Sequence, residues 1–348
     1  HNLNTFDETV TEQLFQVQEG ESTFRLKTRA SGHGFGTGNN CAEFCNNIHS
    51  VEVNGNNQWS WQIMQECADN PLYPQGGTWI YDRAGWCPGD KVTTQNFELT
   101  PLVQGQDEFT VDYNIEYDPD GNYRFEGQII AYGEPNFELD AEISDILSPS
   151  DWRVKSRMNP ICNKPTILIR NNGSTALTSL SIAYGIDGNM ETYEWTGNLG
   201  FLETAEVQLA TLNPSFWQGS DEDLLLFEVS ISNPNGSADQ NTSNDTATSR
   251  FHRPPTYTYG TGEDDNNEVV IWTKTNNSYW ETEVRIENMN GDLVYLRNDF
   301  DLPNTNYRDT IQLNAGCYKF HLKDFDDDGL QFFANNDGSG SCRMKKVA

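Results

Sequence analysis

Apolar and polar residues alternate with a period of two along most of the chain. The run Phe109-Thr110-Val111-Asp112-Tyr113-Asn114-Ile115 puts its apolar side chains on one face of an extended strand. The stretches 166–169, 226–231 and 318–322 repeat the pattern. Asx-Gly pairs punctuate these runs: Asn54-Gly55, Asp120-Gly121, Asp187-Gly188, Asn235-Gly236 and Asp337-Gly338. Such pairs supply the turn residues of tight hairpins. Alternating strands separated by turn signals predict an all-β chain of packed sandwiches. The best helical window, residues 137–147, reads equally as a strand and a turn.

A length of 348 residues suits two or three domains. Two breaks stand out. Leu147-Ser-Pro-Ser-Asp-Trp152 ends the first unit, and the stretch 251–256, with its Pro254-Pro255 pair, forms a stiff spacer after the second. The expected domains are 1–149, 150–254 and 255–348. They do not repeat one another.

Charge narrows the function. The chain carries 52 acidic against 22 basic residues, a formal net charge of −30. Such a field repels nucleic acid and anionic lipid, so neither is an expected partner. No run of 18 apolar residues provides a transmembrane helix. The chain opens at His1, without Met and without a visible signal peptide, as expected of a fragment or processed form. Were His1 a processed terminus, its amine and imidazole could hold copper.

Seven cysteines follow a secretory rather than a metal pattern, since no Cys-x-x-Cys pair occurs. Cys41 and Cys45 are four apart, Cys67 and Cys87 flank an aromatic loop, and Cys317 and Cys342 bracket the last segment. Three disulfides are expected, Cys317–Cys342 among them, with Cys162 left over.

The densest chemistry lies between Gly32 and Gly89. Glu43 stands between two cysteines, and Asp82-Arg83 precedes Trp86. Trp59, Trp61, Trp79, Tyr81 and Trp86 supply aromatic surface. A carboxylate, a guanidinium and aromatic rings together suit a hydroxyl-rich ligand. The same residues also fit a plainer role, with Glu43 paired to Arg83 between two loops and the tryptophans in a core. His33 and His49 could share copper or zinc from neighbouring strands. His33, within Gly-His-Gly-Phe-Gly, fits a tight turn equally well.

Cys41-Ala-Glu43-Phe-Cys45, the following His49, and Asp82-Arg-Ala-Gly-Trp-Cys-Pro-Gly89 carry a resemblance. Over residues 18–140 the chain is similar to the C-terminal domain of the peptide-N-glycosidase F family. The resemblance implies an eight-stranded jelly-roll sandwich and the disulfides Cys41–Cys45 and Cys67–Cys87. It implies an assisting active-site role for Glu43 and cleft positions for Arg83 and Trp86. Asp82, Trp79 and Trp59 are candidate binding residues beside them. In that family the acid/base Asp and a second Glu lie in an N-terminal jelly roll, whereas about 18 residues precede the match here. Sandwiches of this kind also resemble copper-dependent peptide-amidating monooxygenases in architecture alone.

Residues 160–250, through Ile167-Leu-Ile-Arg-Asn-Asn-Gly173, Tyr193-Glu-Trp-Thr-Gly197 and Asn233-Pro-Asn-Gly236, resemble a CARDB-type immunoglobulin-like module of secreted Bacteroidetes proteins. Residues 265–345 resemble a β-sandwich module of proteins exported by the type IX secretion system. Within them Asp324-Phe-Asp326-Asp-Asp328-Gly329 places alternate carboxylates before a turn glycine, as at the start of a calcium loop. The twelfth position of that loop is Asn335 rather than Glu. Asp245-Thr-Ala and Asp309-Thr-Ile fit a periplasmic O-glycosylation pattern of that phylum.

The leading expectation is a non-catalytic, adhesin-like protein that binds glycan or glycoprotein at the outer cell surface. It would be exported through the periplasm and the outer-membrane type IX translocon, with Ca2+ as its candidate cofactor. One alternative is the C-terminal half of a peptide-N4-(N-acetylglucosaminyl)asparagine amidase. A second is a component or passenger of the secretion machinery.

Overall fold

The fold was analysed in a computed structural model that describes residues 6–34, 42–68, 70, 72, 79–116, 122–156, 159, 164–210, 224–252, 267–314, 316–326, 329–331 and 336–346. The regular secondary structure of the described residues is almost entirely antiparallel strand. The chain divides into two compact units, residues 1–73 with 83–255 and residues 74–82 with 256–348.

The first unit holds two sandwiches. The first is built from β1 (Gln13–Gln16), β2 (Thr23–His33), β3 (Ile48–Val53), β4 (Asn56–Gln62), β5 (Met64–Gln65), β6 (Arg83–Ala84), β7 (Thr94–Glu98), β8 (Glu108–Glu116) and β9 (Asn122–Tyr132). A four-stranded sheet β1-β8-β3-β4 faces a three-stranded sheet β7-β2-β9, with β5-β6 as a short ribbon. Alternation fixes which side is buried. Phe109, Val111, Tyr113 and Ile115 of β8 point inward, with Phe24 and Leu26 of β2 and Phe97 of β7 in the same core. Each such buried side chain contributes roughly 1.5–3 kcal/mol relative to exposure. Asn54 and Gly55, both at positive φ, close the β3–β4 hairpin as their pairing implied.

The second sandwich comprises β10 (Ala141–Ser148), β11 (Thr166–Asn171), β12 (Leu177–Ile186), β13 (Asn189–Leu199), β14 (Thr204–Gln208), β15 (Leu224–Ser232) and β16 (Thr246–His252). Sheets β10-β11-β14 and β13-β12-β15-β16 enclose an immunoglobulin-like core that includes Ile167, Ile182, Tyr184, Phe227 and Phe251. This corrects the first boundary. Residues 141–148 are a strand of the second sandwich, with Ala141, Ile143 and Ile146 in its core, so the division falls before 141 and not at 149. Arg25 ties the two sandwiches together by donating to the carbonyls of Leu202 at 2.8 Å and Phe201 at 3.4 Å.

The second unit contains β17 (Glu268–Lys274), β18 (Thr282–Asn288), β19 (Leu293–Arg297), β20 (Asn306–Gln312), β21 (Tyr318–Asp324) and β22 (Ser341–Lys346). Its sheets are β20-β17-β22 and β19-β18-β21, around Ile271, Val284, Ile286 and Phe300. The expected Cys317–Cys342 disulfide is not formed. Cys342 is a free thiol, turned on β22 toward Thr273, whose Oγ1 lies 3.4 Å away, and Cys317 is in a different disulfide. Bracketing a segment in sequence does not bring two cysteines face to face on the sheets. Cys67–Cys87 is formed, and Cys45 is disulfide-bonded. Cys41 and Cys162 lie outside the described residues.

Candidate functional site

The candidate site starts from a close backbone approach. A Cβ at Gly32 would stand 1.6 Å from the carbonyl oxygen of Ala42 and 2.8 Å from Cβ of Ala84, so only glycine fits. Residues 42–44 therefore lie flat between the end of β2 and the ribbon strand β6. The carbonyl of Glu43 accepts from Ala84 N at 2.9 Å, which fixes the backbone that carries its carboxylate.

From that position Glu43 reaches Arg83. Arg83 Nε donates to Glu43 Oε1 at 3.1 Å, and the two side chains are 3% and 18% exposed. The guanidinium carbon lies 5.1 Å from the Phe44 ring centroid and 5.3 Å from that of Trp86. Arg83 is thus held by a carboxylate and flanked by two aromatic rings, an arrangement that suits a planar cation taken out of water. Trp86 in turn donates from Nε1 to the Gly32 carbonyl at 2.8 Å. The sequence brought Glu43, Arg83 and Trp86 forward together, and the structure joins them. It places Arg83 in the interior rather than on an open surface.

Trp86 also borders an open surface. A groove of about 350 Å3 there has Arg29, Ser31, His33, Trp86, Asp90, Arg124 and Glu126 in its lining. Strand pairing explains the lining. Arg29 lies opposite Glu126, and Ser31 opposite Arg124, on the outer face of β2 and β9. The Cys67–Cys87 disulfide anchors the loop that presents Trp86. The His33 ring lies 5.2 Å from Trp86, and Ser31 Oγ is 2.8 Å from its Nε2. Burial first, and the charge of Arg124 next, hold the His33 imidazole below its ordinary pKa, with Glu43 acting in the opposite sense. Histidine is therefore a neutral hydrogen-bonding group in the groove at pH 7. Arg29 donates to Thr94 Oγ1 at 2.7 Å and lies 3.8 Å from Glu126. Arg124 is exposed and has no ion-pair partner among the described residues. An indole ring edged by donors and acceptors of both charges matches the two faces of a sugar, apolar C–H and polar hydroxyl. Sequence reading missed Arg29, Arg124 and Glu126. Their only signal was alternation within strands about 90 residues apart.

Other candidates lie elsewhere. His49 is fully buried, with Nδ1 2.6 Å from the Tyr113 hydroxyl and its ring 5.0 Å from that of Tyr123. Burial lowers its pKa to about 3. His33 and His49 thus occupy separate aromatic surroundings. Among the described residues no three His, Cys, Asp or Glu side chains group closely enough to share a metal. Trp59 packs 4.8 Å from Phe97 as part of the sandwich, Trp79 is buried, and Asp82 is half-buried. In the acidic loop Asp324 accepts from Gly329 N and Asp326 is exposed, while Asp328 lies outside the described residues. Among the described residues no helix is long and apolar enough to cross a membrane.

Comparison with known proteins agrees with the first sandwich. Residues 2–132 match the family described as peptide-N-glycosidase F, C terminal. The peptide-N(4)-(N-acetyl-beta-D-glucosaminyl)asparagine amidase F of Elizabethkingia miricola is 35% identical over 98 residues, 26% of this chain and 27% of that protein. The solved PNGase F from Flavobacterium meningosepticum is 28% identical, with a TM-score of 0.33, over 35% of this chain and 43% of that one. A CARDB domain from Pyrococcus furiosus, solved with metal ions, is 18% identical with a TM-score of 0.23, over 35% of this chain and 92% of that one. The chain spans about a quarter of the curated relative's length and less than half of the solved amidase. The resemblance read from the Glu43 and Arg83 motifs stands for the first sandwich.

Proposed function

Taking the match over residues 2–132 as premise, we propose that this chain is an exported binding protein. Its first sandwich would hold an N-acetylglucosamine-bearing glycan or glycopeptide in the groove beside Trp86. The observation that carries this reading is the groove itself. An aromatic ring, neutral His33, Arg124 and the Glu126 carboxylate converge on a space of a size suited to a small ligand. The Elizabethkingia relative, named for its action on N-acetylglucosaminyl asparagine, supports the choice of sugar. The disulfide Cys67–Cys87 and the oxidised Cys45 and Cys317 support an oxidising compartment.

Binding is favoured over cleavage. Amide hydrolysis needs a group positioned to activate water. Glu43, the carboxylate to which the resemblance assigns an assisting role, is engaged with Arg83. Calorimetric titration of the native chain with a chitobiose-bearing glycopeptide should give saturable binding that is lost in Arg124→Ala and Trp86→Ala. Absence of binding by the native chain would overturn the reading. Release of free glycan from a denatured glycoprotein would replace it with the amidase.

A further inference from the structure

A second ligand surface lies in the second unit, on the outer face of β20-β17-β22. Strand register assigns this face. Trp272 of β17 pairs with Arg308 of β20 on one side and Arg343 of β22 on the other. Lys274 and Lys345 stand on the same face one step away in either direction. The opposite face, with Ile271 and Thr273, is buried in the core. Of the eleven side chains that the register puts on the outer face, four are basic and one, Glu268, is acidic. The whole chain has the opposite balance, 22 basic against 52 acidic residues. A concentration of cations on one sheet face of such a chain runs against its composition.

The cations are also oriented. Lys345 Nζ lies 3.7 Å and Arg308 Cζ 5.1 Å from the Trp272 ring centroid. Trp272 is itself fixed by donating from Nε1 to Asn306 Oδ1 at 3.0 Å. Cation–π contact sets the ammonium and guanidinium over the ring and lowers the entropy lost when they meet a ligand. None of Lys274, Arg308, Arg343 and Lys345 has a carboxylate within ion-pair distance among the described residues. The other sheet of this unit is arranged differently. There Arg285 and His321 both meet Glu287, at 3.1 and 3.4 Å.

We infer that the Trp272 face binds an acidic polysaccharide, a sugar chain carrying carboxylate or sulfate groups, at a site separate from the groove beside Trp86. Arg308 and Arg343 flank Trp272 on neighbouring strands, about 10 Å apart at the backbone. Two separated forks of donors suit a linear ligand with charges repeated along its length. The geometry disfavours broader polyanions. A membrane plane or a long duplex would bring the remaining acidic surface against more negative charge, whereas a thin sugar chain can follow one sheet face.

The test is titration of the full chain with a size-defined chondroitin sulfate oligosaccharide at two salt concentrations. Native protein should bind, more weakly at high salt. The double variant Arg308→Gln/Arg343→Gln should weaken binding about tenfold or more, since each loses a charge-assisted contact. Lys319→Gln/Lys323→Gln removes the same charge from exposed positions on β21 and should leave Kd within about twofold. Trp86→Ala should leave it unchanged, which separates this site from the groove. Equal losses in the two double variants would reduce the effect to net charge and overturn the site. So would absence of binding, or binding only to vesicles of phosphatidylglycerol.

Discussion

Two arginine–tryptophan contacts in this molecule share a geometry and differ in their surroundings. Arg83 lies 5.3 Å from the Trp86 ring, and Arg308 lies 5.1 Å from that of Trp272. Arg83 is 3% exposed and bound to Glu43, in a sandwich whose core spans both sheets. Arg308 is exposed and lacks a carboxylate partner among the described residues. The contact itself does not decide the role. A buried guanidinium with a carboxylate beside it is committed to holding Trp86 in place. An exposed one without such a partner keeps its donors for a ligand.

This contrast can be broken experimentally. The largest effect is expected at Gly32→Ala, where the added methyl meets a backbone carbonyl that cannot rotate away. It should destabilise the first unit by about 4 kcal/mol, read as a fall in the denaturant midpoint. Glu43→Ala should cost about 3 kcal/mol by removing the carboxylate paired with the buried Arg83 guanidinium. Replacing both residues, as Glu43→Leu/Arg83→Met, should recover most of that loss. If Glu43→Ala proved neutral, the pair would not be a support for Trp86.

A smaller effect is expected at Asp245, a buried charge without compensation. It is 8% exposed, and its Oδ1 has no hydrogen-bond partner among the described residues. Burial first, then the charges of Asp239 and Asp140, raise its pKa to about 6. The folded form therefore binds a proton more tightly than the unfolded form. Its contribution to stability is greatest below about pH 4 and is lost as pH rises through about 6. Asp245→Asn should stabilise the second sandwich by about 2 kcal/mol at pH 7, with little effect at pH 4, as measured by urea unfolding at both values. A gain of equal size at both pH values would contradict the assignment. The smallest effect belongs to the exposed side of the comparison. Arg308→Gln/Arg343→Gln should change stability by no more than about 0.5 kcal/mol, because surface substitutions free of buried partners rarely do more.

Local pattern made the strands legible, and its limits explain what was missed. The alternation in 109–115 predicted the buried face of β8, and Asn54-Gly55 predicted a hairpin. Residues 141–148 were harder to place. Their pairing with β11 is interrupted by two register shifts, which blur the period of two, and Ser148-Pro149 reads like a linker. The groove was invisible because β2 and β9 meet across nearly the whole first sandwich. Arg83 was legible as important, but its burial was not, since residue type alone does not say which side of Trp86 it occupies. Cys342 misled for a similar reason. Sequence spacing carries no record of the face on which a strand presents its thiol.

The central claim is that the groove beside Trp86 receives a glycan. Its most direct test is calorimetric titration of a chitobiose-bearing glycopeptide into native protein and into Arg124→Ala, a variant at an exposed position that should leave folding intact. The account predicts saturable binding to the native chain and a loss of about tenfold or more in the variant, at unchanged melting temperature. Equal affinity in the two proteins would contradict it.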